Sequence, residues 1–216
     1  MFVHGSGGNS DIWKAQLNLK VNYNLYALDL PSHNKSDEFS EHTLELYVDV
    51  LRKFIEYLDL KDVILAGHSL GGAVIQSYYF TYPNEVSALF LIGTGGRLRV
   101  LPSILETVKN DYSKFIEDMD ESLKKEFLKT ASRVCYDDFN ICDKFDTLDK
   151  TDTIKIPCLI LVGKDDIMTP IKYSEFFHRK IENSELVIID NAGHLVMMEQ
   201  PNKLNGAIES YINNCL

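Results

Sequence analysis

The stretch Val63-Ile64-Leu65-Ala66-Gly67-His68-Ser69-Leu70-Gly71-Gly72 constrains the fold of this chain more than any other. Its first four residues are an unbroken apolar run, which suits a strand buried on both faces of a parallel sheet covered by helices. From Leu70 to Tyr82 the residues suit a helix, which must stop before Pro83 because a helix interior does not tolerate proline. Between strand and helix lies Gly67-x-Ser69-x-Gly71. A serine on so sharp a turn holds its hydroxyl clear of the sheet, and the flanking glycines remove side chains that would collide with it. The helix that follows points its first N–H groups at the same spot and favours negative charge there. Five residues with three fixed positions recur by chance, so the rival reading is a glycine-rich turn that packs and does nothing. The strand before and the helix after argue against that reading.

The rest of the chain repeats the alternation. Strands are expected at Met1–His4, Asn24–Leu28, Asp62–Ala66, Ser87–Ile92, Pro157–Val162 and Glu185–Ile189. Helices are expected at Thr43–Leu60, Leu70–Tyr82, Ile171–Ile181 and Asn202–Ile212; the first carries Leu44, Tyr47, Val48, Leu51, Phe54, Ile55 and Leu58 on one stripe. Strand alternating with helix means an α/β fold with a mostly parallel sheet. Residues 99 to about 150 break the rhythm, with short helices expected at Leu101–Asn110, Tyr112–Met119 and Glu121–Val134 and no strand. An insertion of that length in an α/β core is usually functional, often a lid. With 216 residues the chain suits one domain.

Composition excludes several functions. The net charge of -10 repels phosphate backbones and argues against nucleic-acid binding. No apolar stretch approaches the roughly 20 residues of a membrane-spanning helix. The start, Met1-Phe2-Val3-His4-Gly5, lacks the basic and apolar regions of a signal peptide. Cys135, Cys142, Cys158 and Cys215 form neither a zinc pattern nor a disulfide framework, and Cys158 lies in an apolar strand. A reduced, cytoplasmic protein is the expectation.

Serine needs a base to act as a nucleophile at neutral pH. Of the six histidines, His194 stands out because Asp190-Asn191-Ala192-Gly193-His194 is a turn-rich loop after the last strand, at the carboxyl end where such sheets build sites. The base needs a carboxylate to orient it. The loop after the preceding strand, Gly163-Lys164-Asp165-Asp166, offers Asp165 and Asp166. Serine, aspartate and histidine then follow one another in a recurrent order on the loops that leave the strand ends.

These motifs together resemble the α/β-hydrolase superfamily, in its branch of small cofactor-free serine esterases. The resemblance covers residues 1 to about 98 and again about 137 to the end. It implies a three-layer fold whose core is 1–98 and 137–216, with a small helical cap at 99–136. Gly163, Asp166 and Pro170 match the family's Gly-x-x-Asp-x-x-x-Pro pattern, which selects Asp166 over Asp165. The resemblance therefore implies a triad of Ser69, Asp166 and His194. His4-Gly5-Ser6-Gly7-Gly8 matches the family's oxyanion loop, which implies backbone donors at Ser6 and Leu70. His4, Gly5, Gly67 and Gly71 then support the loop and the elbow; His68 and Trp13 pack. No cofactor and no metal is implied.

The activity implied is cleavage of a carboxylic ester or related acyl compound through an acyl-enzyme. Thioester cleavage, perhydrolysis and carbon–carbon bond hydrolysis use the same triad. A catalytically silent small-ligand binder is the reading from another class. Tyr112, Phe115, Met119 and Phe127 of the insertion are candidates to line an acyl pocket, or to pack the insertion onto the core. The chain departs from the family in two places. The usual Asp-x-Pro-Gly-His-Gly-x-Ser reads Asp29-Leu30-Pro31-Ser32-His33-Asn34-Lys35-Ser36, with Asn34 able to adopt the left-handed conformation. The family's first two strands have no counterpart before His4, so six parallel strands are expected in family order 4-3-5-6-7-8. That leaves the strand near Tyr23–Leu28 as an open edge, through which a homodimer is expected to pair.

Overall fold

Six strands make one sheet in the computed structural model, which describes residues 1–117, 119 and 121–216. They are β1 (Phe2–Val3), β2 (Ala27–Leu28), β3 (Val63–His68), β4 (Val86–Ile92), β5 (Cys158–Gly163) and β6 (Ser184–Ile189). Their order is β2-β1-β3-β4-β5-β6, and every neighbouring pair is parallel. This is the order expected from the sequence. β1 and β2 are each two residues long, and among the described strands β2 pairs with β1 alone.

The apolar runs divide by the two-residue period of a strand. Val63, Leu65, Leu89, Leu91, Cys158 and Ile160 face one core, shared with α1 (Leu44–Tyr57), α2 (Leu70–Thr81) and α7 (Ile171–Lys180). Ile64, Ala66, Phe90, Ile92, Leu159 and Leu161 face the other, shared with Trp13, α8 (Val196–Glu199) and α9 (Pro201–Cys215). The result is three layers. Trp13 is fully buried against Phe2, with ring centroids 5.0 Å apart, so it packs as expected.

Helix ends follow local chemistry. Thr43 caps α1 by accepting from the Leu46 N–H at 3.1 Å. The expected helix to Leu60 stops at Tyr57, because Asp59 turns left-handed at φ 48° and Leu60 N–H bonds back to the Ile55 carbonyl.

The insertion folds as α3 (Pro102–Asn110), α4 (Tyr112–Glu117), α5 (Glu121–Phe127) and α6 (Ser132–Lys144), around a small core of Val108, Ile116, Phe127, Cys135 and Phe139. Position 118, within the expected helix Tyr112–Met119, lies outside the described residues. The expected helix Glu121–Val134 is broken into α5 and the start of α6. Buried Thr130 interrupts it by bridging to His33. α6 then continues through position 136 as far as Lys144, so the insertion and the returning chain share one helix. Among the described residues, no helix is long and apolar enough to cross a membrane.

Candidate active site

Four strands send loops from their carboxyl ends to one place. β3 runs directly into Ser69, which is held at φ 51° and ψ −115° before α2 begins. For a residue with a side chain this is strain of about 1–3 kcal/mol, held by the surroundings. The Ser69 N–H bonds to Ile92 O at 3.2 Å, and Thr94 Oγ1 donates to Ser69 O at 2.8 Å. The two glycines are required by space. A Cβ on Gly67 would lie 2.3 Å from the Gly71 carbonyl oxygen, and one on Gly71 would lie 2.2 Å from Val3 O.

The loop after β5 places Asp166 fully under cover, while Asp165 points to solvent. Asp166 Oδ1 accepts from the Met168 and Thr169 N–H groups at 2.9 and 2.8 Å. Oδ2 accepts from Thr169 Oγ1 at 2.8 Å and from His194 Nδ1 at 2.9 Å. Burial alone would raise this carboxyl, but the His194 hydrogen bond and charge, with the Thr169 donors, hold it below the usual carboxylate range. Since a carboxylate can only accept, His194 carries its proton on Nδ1 and presents the Nε2 lone pair. The ring is 14% exposed. Its loop is clamped from outside by Glu199, which accepts from the Gly193 N–H at 2.7 Å and the Leu195 N–H at 3.0 Å.

Ser69 and His194 line the same cavity, of about 540 Å³. Among the described residues no hydrogen bond joins Ser69 Oγ to His194 Nε2; such a bond commonly closes as substrate binds. Gly5 and Ser6 of the loop after β1 line the cavity as well. No backbone hydrogen bond engages the Ser6 or Leu70 N–H among the described residues, so both are available to an oxyanion. Leu70 N–H is one of the unbonded donors that open any helix.

The other two histidines of the motifs are fixed in place. His4 Nε2 accepts from Leu30 N–H at 3.0 Å, and its Nδ1 donates to Gly5 O at 2.8 Å. Burial pushes its pKa down to about 3, so it stays neutral. His68 Nε2 donates to the His194 carbonyl at 2.9 Å, and burial also pushes that ring to about 3. Its Nδ1 is buried without a partner.

Phe115, Met119 and Phe127 line the cavity, as expected from the sequence. Tyr112 does not. It stacks on Phe115 at 6.0 Å, and its hydroxyl donates to Phe127 O at 3.0 Å, so its role is to pack the cap. Sequence reasoning misses Thr169 and Glu199, although each leaves a signal: an Asx-type turn, Asp-x-x-Thr, and an acid about one helical turn beyond the histidine. It also misses Ile104, Phe139, Ile167 and Met168, which add to the apolar lining. Among the described residues no group of histidine, cysteine, aspartate or glutamate is arranged to hold a metal ion.

A family model described as the Alpha/beta hydrolase family matches residues 1–207. The fold superimposes on a thermophilic esterase with a TM-score of 0.89, at 37% identity over 98% of this chain and 88% of that one. A second thermophilic esterase, from Thermogutta terrifontis, gives a TM-score of 0.88 at 26% identity over 98% and 88% of the two chains. A monoacylglycerol lipase of Rattus norvegicus is 26% identical over 94% of this chain and 72% of its own length.

Proposed function

This chain belongs to the alpha/beta hydrolase family, and from that premise we propose that it is a serine hydrolase that cleaves carboxylic esters with an apolar acyl group. The observation that carries the proposal is the 2.9 Å bond from His194 Nδ1 to buried Asp166, which leaves Nε2 as a base in the cavity where Ser69 stands on its strained turn. In this reading Nε2 takes the Ser69 proton as Oγ attacks the acyl carbon. The Ser6 and Leu70 N–H groups receive the oxyanion, and Asp166 steadies the imidazolium. His194 then protonates the departing alcohol. Water, activated by the same nitrogen, releases the acid and restores Ser69.

The cavity walls support the choice of acyl group. Phe115, Met119, Phe127, Phe139, Ile104 and Met168 offer little to a charged chain. The acidic groups at the cavity are Glu126 and Glu199. Glu126 is paired with Lys129 at 2.6 Å, which leaves the charge of Glu199 to disfavour substrates with phosphate groups, coenzyme A thioesters among them. We also place the protein in the cytoplasm, a reading supported by four cysteines that carry no disulfide.

The test is hydrolysis of p-nitrophenyl esters from acetate to dodecanoate, with labelling by a fluorophosphonate. Turnover and labelling that both vanish in Ser69→Ala are the expected result. Folded protein that is neither labelled nor active at any chain length would move the chain to the silent binders of the fold.

A further inference from the structure

The loop that carries Ser6 is held from the cap side by a carboxylate with no place in the triad. Asp138 projects from α6 and is fully buried. Its Oδ2 accepts the Gly7 N–H at 2.9 Å and His33 Nε2 at 2.9 Å, and its Oδ1 accepts the Tyr47 hydroxyl at 2.6 Å.

Gly5 to Gly8 form a turn closed by the Gly8 N–H on Gly5 O at 3.0 Å, with Gly7 at φ 64°. Positive φ at the third position is the type II arrangement, which differs from type I by a flip of the central peptide. In this turn the central peptide is Ser6–Gly7, and the N–H that a flip would reverse is the one Asp138 holds. A flipped turn would aim the Ser6 carbonyl at the carboxylate instead. The neighbouring peptide, Gly5–Ser6, carries the proposed oxyanion donor; its oxygen is held by Gly8 N–H and by His4 Nδ1 at 2.8 Å. Asp138 therefore restrains the Ser6–Gly7 peptide, which those two bonds do not reach, and so fixes the chain on the far side of Ser6 from the donor.

A bare carboxylate two peptides from a developing oxyanion would oppose it. His33 cancels that charge. Its Nδ1 faces the Pro31 carbonyl at 2.9 Å and its Nε2 faces Asp138, so with Asp138 ionised both nitrogens donate and the ring is an imidazolium. A buried pair with its remaining valences filled keeps its geometry, whereas one that loses a partner leaves a costly charge behind.

We propose that Asp138 is a positioning residue for the oxyanion site: through Gly7 it holds the Ser6 loop in the form that presents the Ser6 N–H to the reacting carbonyl. This rests on the serine-hydrolase reading above. α6 is then part of the catalytic frame.

The experiment compares the unmodified protein with Asp138→Asn and with Ile55→Ala, a core truncation in α1. Fluorophosphonate titration to completion counts competent sites, and kcat is expressed per site. KM is measured for one p-nitrophenyl ester, and Ki for a trifluoromethyl ketone whose hemiketal oxygen needs the oxyanion site. Asp138→Asn should lower kcat per site on the order of 10-fold, since small misplacements near the reacting atoms cost 10- to 100-fold, with KM within about twofold. The ketone should weaken by the same factor. Ile55→Ala should lose stability and keep kcat per site. Unchanged kcat and Ki in Asp138→Asn overturn the proposal, as does a loss confined to the number of sites, matched by Ile55→Ala. Should Asp138→Asn not fold, amide hydrogen exchange in the unmodified protein decides. Protection of the Gly7 N–H supports the anchor, and exchange at the rate of an open loop overturns it. An unmodified protein that is neither labelled nor active overturns the serine-hydrolase reading itself, before any variant is compared.

Discussion

Replacing Asp166 by asparagine separates a triad from a chance meeting of polar groups, and the local hydrogen bonds fix how the amide must sit. Asp166 Oδ1 accepts two backbone N–H groups, from Met168 and Thr169. An asparagine NH2 group turned toward them would set donor against donor, so the amide oxygen must stay there. Its NH2 group then faces His194 Nδ1, where Asp166 Oδ2 now accepts at 2.9 Å. Two donors cannot share that line, so His194 is driven to carry its proton on Nε2 and ceases to be a base toward Ser69. In a serine protease triad, a wrong tautomer with intact geometry costs about 10⁴-fold in kcat, or about 5.4 kcal/mol at 1.36 kcal/mol per tenfold. Steady-state ester hydrolysis at neutral pH, corrected for sites by titration, reads this directly. Asp165→Asn, at an exposed neighbour with its side chain outside the site, should stay within about twofold, as surface changes usually do. An Asp166→Asn enzyme that keeps more than about a tenth of its activity would refute the tautomer argument. If Asp165→Asn were the damaged variant, the orienting carboxylate would be the other one.

Met119 lines the cavity beside Phe115 and Phe127, so Met119→Trp should fill part of it and shift the preferred ester toward shorter chains, read from the p-nitrophenyl series; an unchanged profile would place the acyl chain elsewhere. The His33–Asp138 pair should shape stability against pH. Burial would lower the His33 ring, but the Asp138 charge and hydrogen bond raise it; burial would raise Asp138, but His33, Tyr47 and Gly7 lower it. Its histidine half contributes fully below about pH 6.5 and is lost as pH rises through the raised folded value, while its carboxylate half is lost as pH falls through the lowered folded value of Asp138. In urea unfolding the stability gap between the unmodified protein and Asp138→Asn should therefore narrow from about pH 6.5 upward; a gap that does not change with pH would mean the ring is neutral. We further propose that β2, paired on one side alone among the described strands, joins two copies edge to edge. Sedimentation at micromolar concentration should then give twice the chain mass, and a single species at 24.6 kDa would refute the pairing.

β3, β4 and β5 were legible because strands buried on both faces leave apolar runs, whereas the order of the six strands was implied by the family resemblance. The elbow was legible because its turn demands glycine at 67 and 71, and the histidine loop because a turn-rich segment follows the last strand. The choice between Asp165 and Asp166 was not legible from the residues alone. It depends on which side chain the turn buries, and the family pattern was needed to select it. The course of α6 was hidden for a physical reason. Its buried stripe of Val134, Cys135, Asp138, Phe139 and Cys142 has helical spacing, yet an aspartate stands at its centre. A charge inside an apolar stripe is concealed until its partners are known, and those partners, His33, Tyr47 and Gly7, lie about a hundred residues or more away. Thr130, which breaks the expected helix, is likewise set by a distant bridge to His33.

The remade loop after β2 shows how such distant partners replace a local rule. Where the family places two glycines, Ser32 and Asn34 stand at φ 64° and 46°. The residue types point to this conformation for Asn34 and not for Ser32. Each left-handed residue costs roughly 1–2 kcal/mol, so the loop needs compensation of that size. Asn34 finds it locally, donating to Asp29 Oδ2 at 3.1 Å. Ser32 finds it at longer range: its N–H bonds to Asp37 O at 2.9 Å, and its hydroxyl accepts from Phe39 N–H at 2.8 Å. The same hydroxyl meets His42 Nε2 at 2.9 Å, and the other nitrogen of that ring meets Asp137 Oδ2 at 2.9 Å. At about 1 kcal/mol for each intramolecular hydrogen bond, these contacts are enough to hold both residues left-handed without glycine. Asp137 and Asp138, side by side on α6, thus grip His42 and His33 of one loop, and through Asp138 that loop is tied to the turn bearing Ser6. Glycine at 32 and 34 would relieve the strain while leaving His42 without its Ser32 partner. For that reason Ser32→Gly should destabilise this protein in urea unfolding, the reverse of what a glycine at a left-handed position does when nothing else depends on the side chain it replaces.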